Sequence, residues 1–196
     1  MKKIISDDTL KENRIPPNQK SVKKLPVLHY GPVPEFDEST WSLEICGVVK
    51  RSKTFSYQDI LAMEKSEVFC DIHCVTTWSK LDTTWKGILV QDLMKQFEVL
   101  STAKYVIIHA EFGFTTNMPI KDFLDSDVLL ATELDGEQLS PKHGYPLRLV
   151  VPKLYFWKSA KWIRKIEFAT ENHRGFWERN GYHDHGDPWS EERQWK

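Results

Sequence analysis

The chain has 196 residues, with 27 Lys and Arg against 28 Asp and Glu and a formal net charge of −1. That length suits one domain of ordinary size, and so even a balance excludes a global field drawing the protein to nucleic acid or anionic lipid. Three cysteines are too few for a disulfide framework and point to a reducing compartment, and no run approaches the roughly 20 apolar residues of a membrane span.

Residues 1–24 are polar, broken by Pro16–Pro17, and read as an extended, poorly packed arm ahead of one domain over 25–196. They contain no apolar stretch of signal-peptide length and no twin arginine, so the expected location is cytoplasmic. "PVLHYGPVPEFD" (26–37) is too rich in proline for a helix or a central strand and is expected to lie across a surface. "TWSLEICGVV" (40–49) alternates as a strand does, "KRSKTFS" reads as a turn, and "SYQDILAME" (56–64) as a short helix capped by Ser56. A strand over 66–75 runs into the irregular, hydroxyl-rich "VTTWSKL", and "GILVQDLMKQF" (87–97) has helical spacing. Strands follow at 103–112, 128–134, 146–152 and 161–169, with a helical turn at "PIKDFLDS" and a hairpin at Asp135–Gly136. The aromatic, charged tail after 175 is aperiodic. Strands outnumber short helices without βαβ alternation, which predicts an α+β fold with a mixed sheet in a single domain. The absence of a Gly-rich phosphate loop argues against nucleotide-binding folds.

Two blocks hold the chemistry. In Cys70–Asp71–Ile72–His73–Cys74, strand alternation puts both cysteines on one side and His73 on the other. A structural zinc site needs a second ligand pair, which the tail histidines His183 and His185 supply only by tertiary coincidence, and the C-x3-C spacing is not a redox CxxC. Cys70 reads as core. Cys74, at the strand end, is either core or a thiol pointing into a cleft. In "KHGYPLRLVVPKLYFWKSAKWIRKIEF" (142–168), cations are interleaved with flat aromatics. That pattern suits an anionic, ring-bearing ligand and equally a solvated basic edge.

Together these blocks resemble the sulfite oxidase-like molybdopterin oxidoreductases over residues 26–195. "HCVTTWSKLDTTWKGI" resembles that family's metal-binding cysteine segment, and "YPLRLVVPKLYFWKSAKWI" its cofactor-phosphate signature. "LHYGPVPEFD" resembles the Pro-rich segment against the pterin, and "GFWERNGYHDHGDPW" the tail of short bacterial members. The resemblance implies a sulfite oxidase-type molybdopterin-binding fold holding molybdenum and molybdopterin, with Cys74 as metal ligand and catalytic centre. It also implies that Arg148, Lys158, Ser159, Ala160 and Lys161 hold the phosphate and pterin, and that His29 and Tyr30 lie against the ring. His143 stands where relatives with "NGAPLRL" carry Asn. The implied activity is two-electron, oxo-transfer-type chemistry on a small-molecule substrate, with an unknown electron-transfer partner. Sulfite is disfavoured, because neither the Ala-Gly-Asn-type residues after the cysteine nor a cluster of arginines is found. Two rival readings stand beside it. One is a non-catalytic cofactor-binding or electron-transfer partner module; the other is a zinc-stabilised binding protein using Cys70, His73, Cys74 and the tail histidines.

Overall fold

The computed structural model describes residues 1–195. In chain order its first elements are β1 (Lys3–Ile5), β2 (Lys20–Ser21), β3 (Ser42–Gly47), β4 (Lys53–Ser56), α1 (Tyr57–Ala62) and β5 (Ser66–His73). Next come β6 (Trp78–Leu89), α2 (Val90–Met94), β7 (Tyr105–Ala110), β8 (Thr115–Pro119), α3 (Ile120–Phe123) and β9 (Leu129–Leu134). The chain closes with β10 (Glu137–Gln138), β11 (Arg148–Val150), β12 (Ile163–Ala169) and α4 (Phe176–Arg179). Seven strands form one sheet in the order β1-β5-β6-β9-β10, with β11 also on β9 and β2 on β6; five form a second, β4-β3-β12-β7-β8. Parallel pairs (β1 with β5, β3 with β12) stand among antiparallel ones, so both sheets are mixed, as expected.

The sheets share one core, in which Leu43, Ile45, Ile166 and Phe168 of the smaller sheet meet Ile88, Leu130 and Leu149 of the larger. A second core of Val68, Cys70, Trp85, Leu129, Ala131 and Val150 covers the other face of the larger sheet. Neighbours on β9 therefore serve different cores. This is why "VLLA" is continuously apolar instead of alternating.

Local signals hold where both partners are close in sequence. Ser56 and Asp59 form the reciprocal capping box that starts α1, and Asp135 (φ 51°) with Gly136 (φ 84°) turns β9 into β10. The readings of 75–81 and 87–97 hold only in part. β6 takes over the supposed irregular segment from Trp78 on, with the Ser79 hydroxyl 2.8 Å from His73 Nδ1 on the paired strand; further along, Thr83 Oγ1 donates to Cys70 O (2.7 Å) and accepts from Trp85 Nε1 (2.9 Å). Gly87 belongs to that strand. A Cβ there would lie 2.0 Å from Leu130 O, so only glycine permits the approach of β6 to β9, and the helix is confined to Val90–Met94. "KTFS" is likewise a strand rather than a turn, with Phe55 buried against the core.

The first 24 residues are extended apart from a 3-10 turn at Asp7–Leu10, but they are held to the sheet. β1 pairs with β5 and β2 with β6, and Arg14 grips the fully buried Asp71 carboxylate through two hydrogen bonds (2.6 and 2.8 Å). The partner lies 57 residues away, beyond what the local pattern reveals.

Candidate functional site

The turn from β5 to β6 fixes Cys74. Its N–H donates to Trp78 O (2.9 Å), while its carbonyl accepts from Thr77 N–H (3.0 Å) and from Gln19 Nε2 (3.0 Å). With the backbone held by these three bonds, Cys74 lines a cleft of about 310 Å³. Its Sγ is 3.2 Å from Thr76 Oγ1, and burial pushes the thiol up, so a thiolate there requires a cation close by. Cys70 is core: its Sγ meets Thr83 Oγ1 at 3.6 Å and burial pushes it up as well. His73 turns away from the cleft, with Nδ1 2.8 Å from Ser79 Oγ and its ring edge-on to Trp189, and burial pulls it down to about 4. Among the described residues no group of three or more His, Cys, Asp or Glu is placed to hold a metal ion, which leaves the zinc reading without a ligand set.

The same cleft is lined by Arg148 and Lys161. Arg148 is 2% exposed, and its guanidinium donates to the carbonyls of His143 (2.9 Å) and Ser159 (2.8 Å). It lies 4.4 Å from the Phe156 ring centroid and 5.1 Å from that of Trp85. Lys161 Nζ donates to the carbonyls of Leu28 and Lys142, both at 2.9 Å. Among the described residues neither cation has a carboxylate partner. Burial pulls Arg148 down to about 9; burial and Arg148 together pull Lys161 to about 7. A buried Arg148 and a half-buried Lys161 without an acid are costly, and an anion in the cleft would offset that cost. Gly144, at φ 115°, makes the pair possible: a Cβ would come 2.9 Å from Arg148 Cβ and 3.1 Å from Lys161 Cγ.

Other donors and flat walls complete the cleft. Ser159 Oγ accepts from Val151 N–H (2.9 Å), so its hydroxyl proton is free to be donated. Trp78 Nε1 is buried without a partner on the cleft wall. Ala160, His29 and Tyr30 line the same space. His29 faces Trp162 at 5.3 Å and is pulled down by burial, then by Lys161 and Lys142; Tyr30 packs on Phe176 at 4.5 Å. An orphaned indole donor, unpaired cations and aromatic walls suit a planar group bearing a phosphate.

Two expected residues stand elsewhere. Lys158 is fully buried with its ammonium turned inward, bonded to Glu178 Oε1 (2.6 Å), Asn117 O (2.6 Å) and Asp184 O (2.5 Å). The 3-10 turn at Phe156–Lys158 directs it to that acid, and it is a structural node rather than a phosphate ligand. His143 contributes its backbone carbonyl behind Arg148 rather than its ring to the cleft wall. Walls missed in the sequence are Glu111 and Phe114, whereas Phe156, Trp157 and Trp162 belong to the aromatic run read at 142–168, and Trp177 and Tyr182 to the aromatic tail. Backbone strain marks the same place: Thr77 (φ 71°), Phe112 (φ 56°) and Trp162 (φ 55°) hold left-handed conformations around it.

The fold and site define a mixed-sheet domain built to hold a flat, anionic cofactor beside one thiol. Residues 30–177 match the family described as the oxidoreductase molybdopterin binding domain, and the chain belongs to that family, whose cofactor is molybdenum-bearing molybdopterin. It is 51% identical over 181 residues to the oxidoreductase YuiH of Bacillus subtilis, spanning 92% of this chain and 91% of that one. It is 31% identical over 166 residues to the protein-methionine-sulfoxide reductase catalytic subunit MsrP of Campylobacter jejuni, covering 73% of this chain and 54% of the relative. The sulfane dehydrogenase SoxCD of Paracoccus pantotrophus shares the fold, with TM-score 0.66 and 22% identity over 73% of this chain and 41% of that one. No described helix is long and apolar enough to cross a membrane.

Proposed function

We propose that this oxidoreductase holds molybdenum through the Cys74 thiolate and acts on a small substrate at the same cleft. The observation that carries the reading is the convergence of Cys74 with Arg148 and Lys161, two cations lacking acids, in one aromatic-walled space. When bound, the cofactor supplies two-electron chemistry coupled to moving one oxygen atom to or from the substrate. The chain supplies the rest. Arg148 and Lys161 bind the cofactor phosphate, with Ser159 Oγ as a further donor, while His29 and Tyr30 lie against the ring. Trp78, Phe114 and Trp177 exclude water and leave an apolar approach to the thiol. The three free cysteines agree with a reducing, cytoplasmic setting, and the cofactor-binding domain proposed over residues 25–196 takes in the N-terminal arm as well, because β1 and β2 belong to its sheet.

The test is metal and pterin analysis after expression in a host that makes the cofactor. The wild type is expected to carry both. Cys74→Ser should lower molybdenum content by at least about tenfold with the fold intact, and Cys70→Ser should leave it unchanged. Equal effects from both variants, or zinc without molybdenum, would overturn the reading. A metal-loaded protein that exchanges no electrons with artificial carriers would instead favour the non-catalytic module.

A further inference from the structure

Residues 19–30 run along the cleft from the cysteine turn to its mouth. Gln19 bonds the Cys74 carbonyl, Lys20 and Val22 pair with the start of β6, and Leu28 and Tyr30 are part of the lining. This strip exposes apolar surface: Leu28 is 54% exposed and Tyr30 63%. Across the mouth, beside the lining residues Glu111 and Phe114, Phe112 is 63% exposed on a left-handed backbone. The segments that build the mouth also carry exposed cations. Lys23 and Lys24 lie on the strip, Lys142 is joined to it through Lys161, and Arg179 follows the wall residue Trp177. Among the described residues none of these four has a carboxylate partner, although the whole chain is nearly neutral.

Exposed apolar residues at the mouth, with unpaired cations on the segments that build it, have the composition of a transient protein interface, where charge guides encounter and a small apolar contact holds it. A two-electron centre in the cleft needs a second reactant. Two encounters with a one-electron carrier exchange both electrons, the carrier being oxidised when the centre is reduced and reduced when it is oxidised. We propose that this rim docks a protein electron carrier with an acidic face, a proposal that rests on the cleft being the redox site. A bilayer fits less well, because the apolar residues surround a concavity and belong to no amphipathic helix.

The full-length, cofactor-loaded protein is titrated with a plant-type [2Fe–2S] ferredoxin as acidic probe, with cytochrome c as basic probe, and with phosphatidylserine-containing vesicles. Ferredoxin is expected to bind, with Kd rising about tenfold from low to physiological ionic strength. Lys23→Glu combined with Lys24→Glu should weaken it about tenfold more. Phe112→Asn, which suits the left-handed backbone, should weaken it about threefold without changing the salt dependence. Absence of ferredoxin binding, equal binding of cytochrome c, or indifference to the double charge reversal overturns the proposal. So does binding to vesicles alone that the same variants abolish. Molybdenum content of the wild type is measured in parallel. A metal-free protein would sink the cofactor reading, whereas carrier affinity and its salt dependence decide the docking surface.

Discussion

Lys158 and Lys161 stand three residues apart in the run Lys-Ser-Ala-Lys and meet opposite electrostatic surroundings. Lys158 closes a buried ion pair with Glu178, whose Oε1 also accepts from Thr116 Oγ1 and Trp157 Nε1, both at 2.9 Å. That node ties the loop before β12 to β8 and to the tail that supplies Trp177 and Tyr182. Lys161 and its neighbour Arg148 have carbonyl oxygens, aromatic faces and the His29 Nδ1 (3.3 Å from Lys161 Nζ) for company, and no carboxylate. The first region is complete by itself; the second is complete only with an anion. In one loop, the same side-chain chemistry stabilises the fold at one end and creates a demand for a ligand at the other.

The sharpest way to break the comparison is to remove one cation from each region. Lys158→Met strands the buried Glu178 carboxylate and should cost about 3–5 kcal/mol in urea unfolding. Arg148→Met removes a buried charge with no acid to strand, so the cofactor-free protein should be unchanged or more stable while cofactor retention is lost. Equal destabilisation by both would erase the distinction.

A smaller effect tests Lys161 directly. Its folded value, about 7, lies below its ordinary 10.5. As pH falls from about 10.5 towards 7, the unfolded chain takes up this proton before the folded one does, so this group's contribution to apoprotein stability declines and then levels off. Only below about 7 does Lys161 offer a full charge to an anion. Sulfate, whose charge is fixed over this range, should therefore bind the cofactor-free protein more tightly as pH drops through 7. Lys161→Arg should flatten that dependence in calorimetric titrations.

The smallest effect concerns the tail. His185 Nε2 donates to Asp122 Oδ2 (3.1 Å) and Nδ1 to Glu192 Oε2 (2.7 Å), and the bond to Asp122 is the main cause raising its pKa. The stability it contributes is full below its ordinary 6.5 and is lost as pH rises through the raised value. His185→Gln should remove that slope from thermal melts across the neutral range while leaving cofactor content unchanged.

How far these features are legible in the sequence depends on where each residue's partner lies. Alternation along 66–75 separates Cys74 from His73 because both faces of a strand are written locally, and the Ser56 cap and the Asp135–Gly136 turn are legible for the same reason. Cations set among aromatics likewise mark 142–168 as an anion site before any fold is known, although a solvated edge reads alike.

Tertiary structure alone decided the rest. It turned Lys158 inward because Glu178, 20 residues on, is buried beside it. It drew Ser79 into a ladder instead of an irregular segment because His73 stands opposite it on β5, and it held the arm through Asp71. Residue type and spacing determine what a side chain is able to bind, and local period determines which face it takes. Only the folded chain determines whether that demand is met from within or left for a ligand, because the low dielectric that makes an unpaired charge costly exists only once distant segments have closed around it.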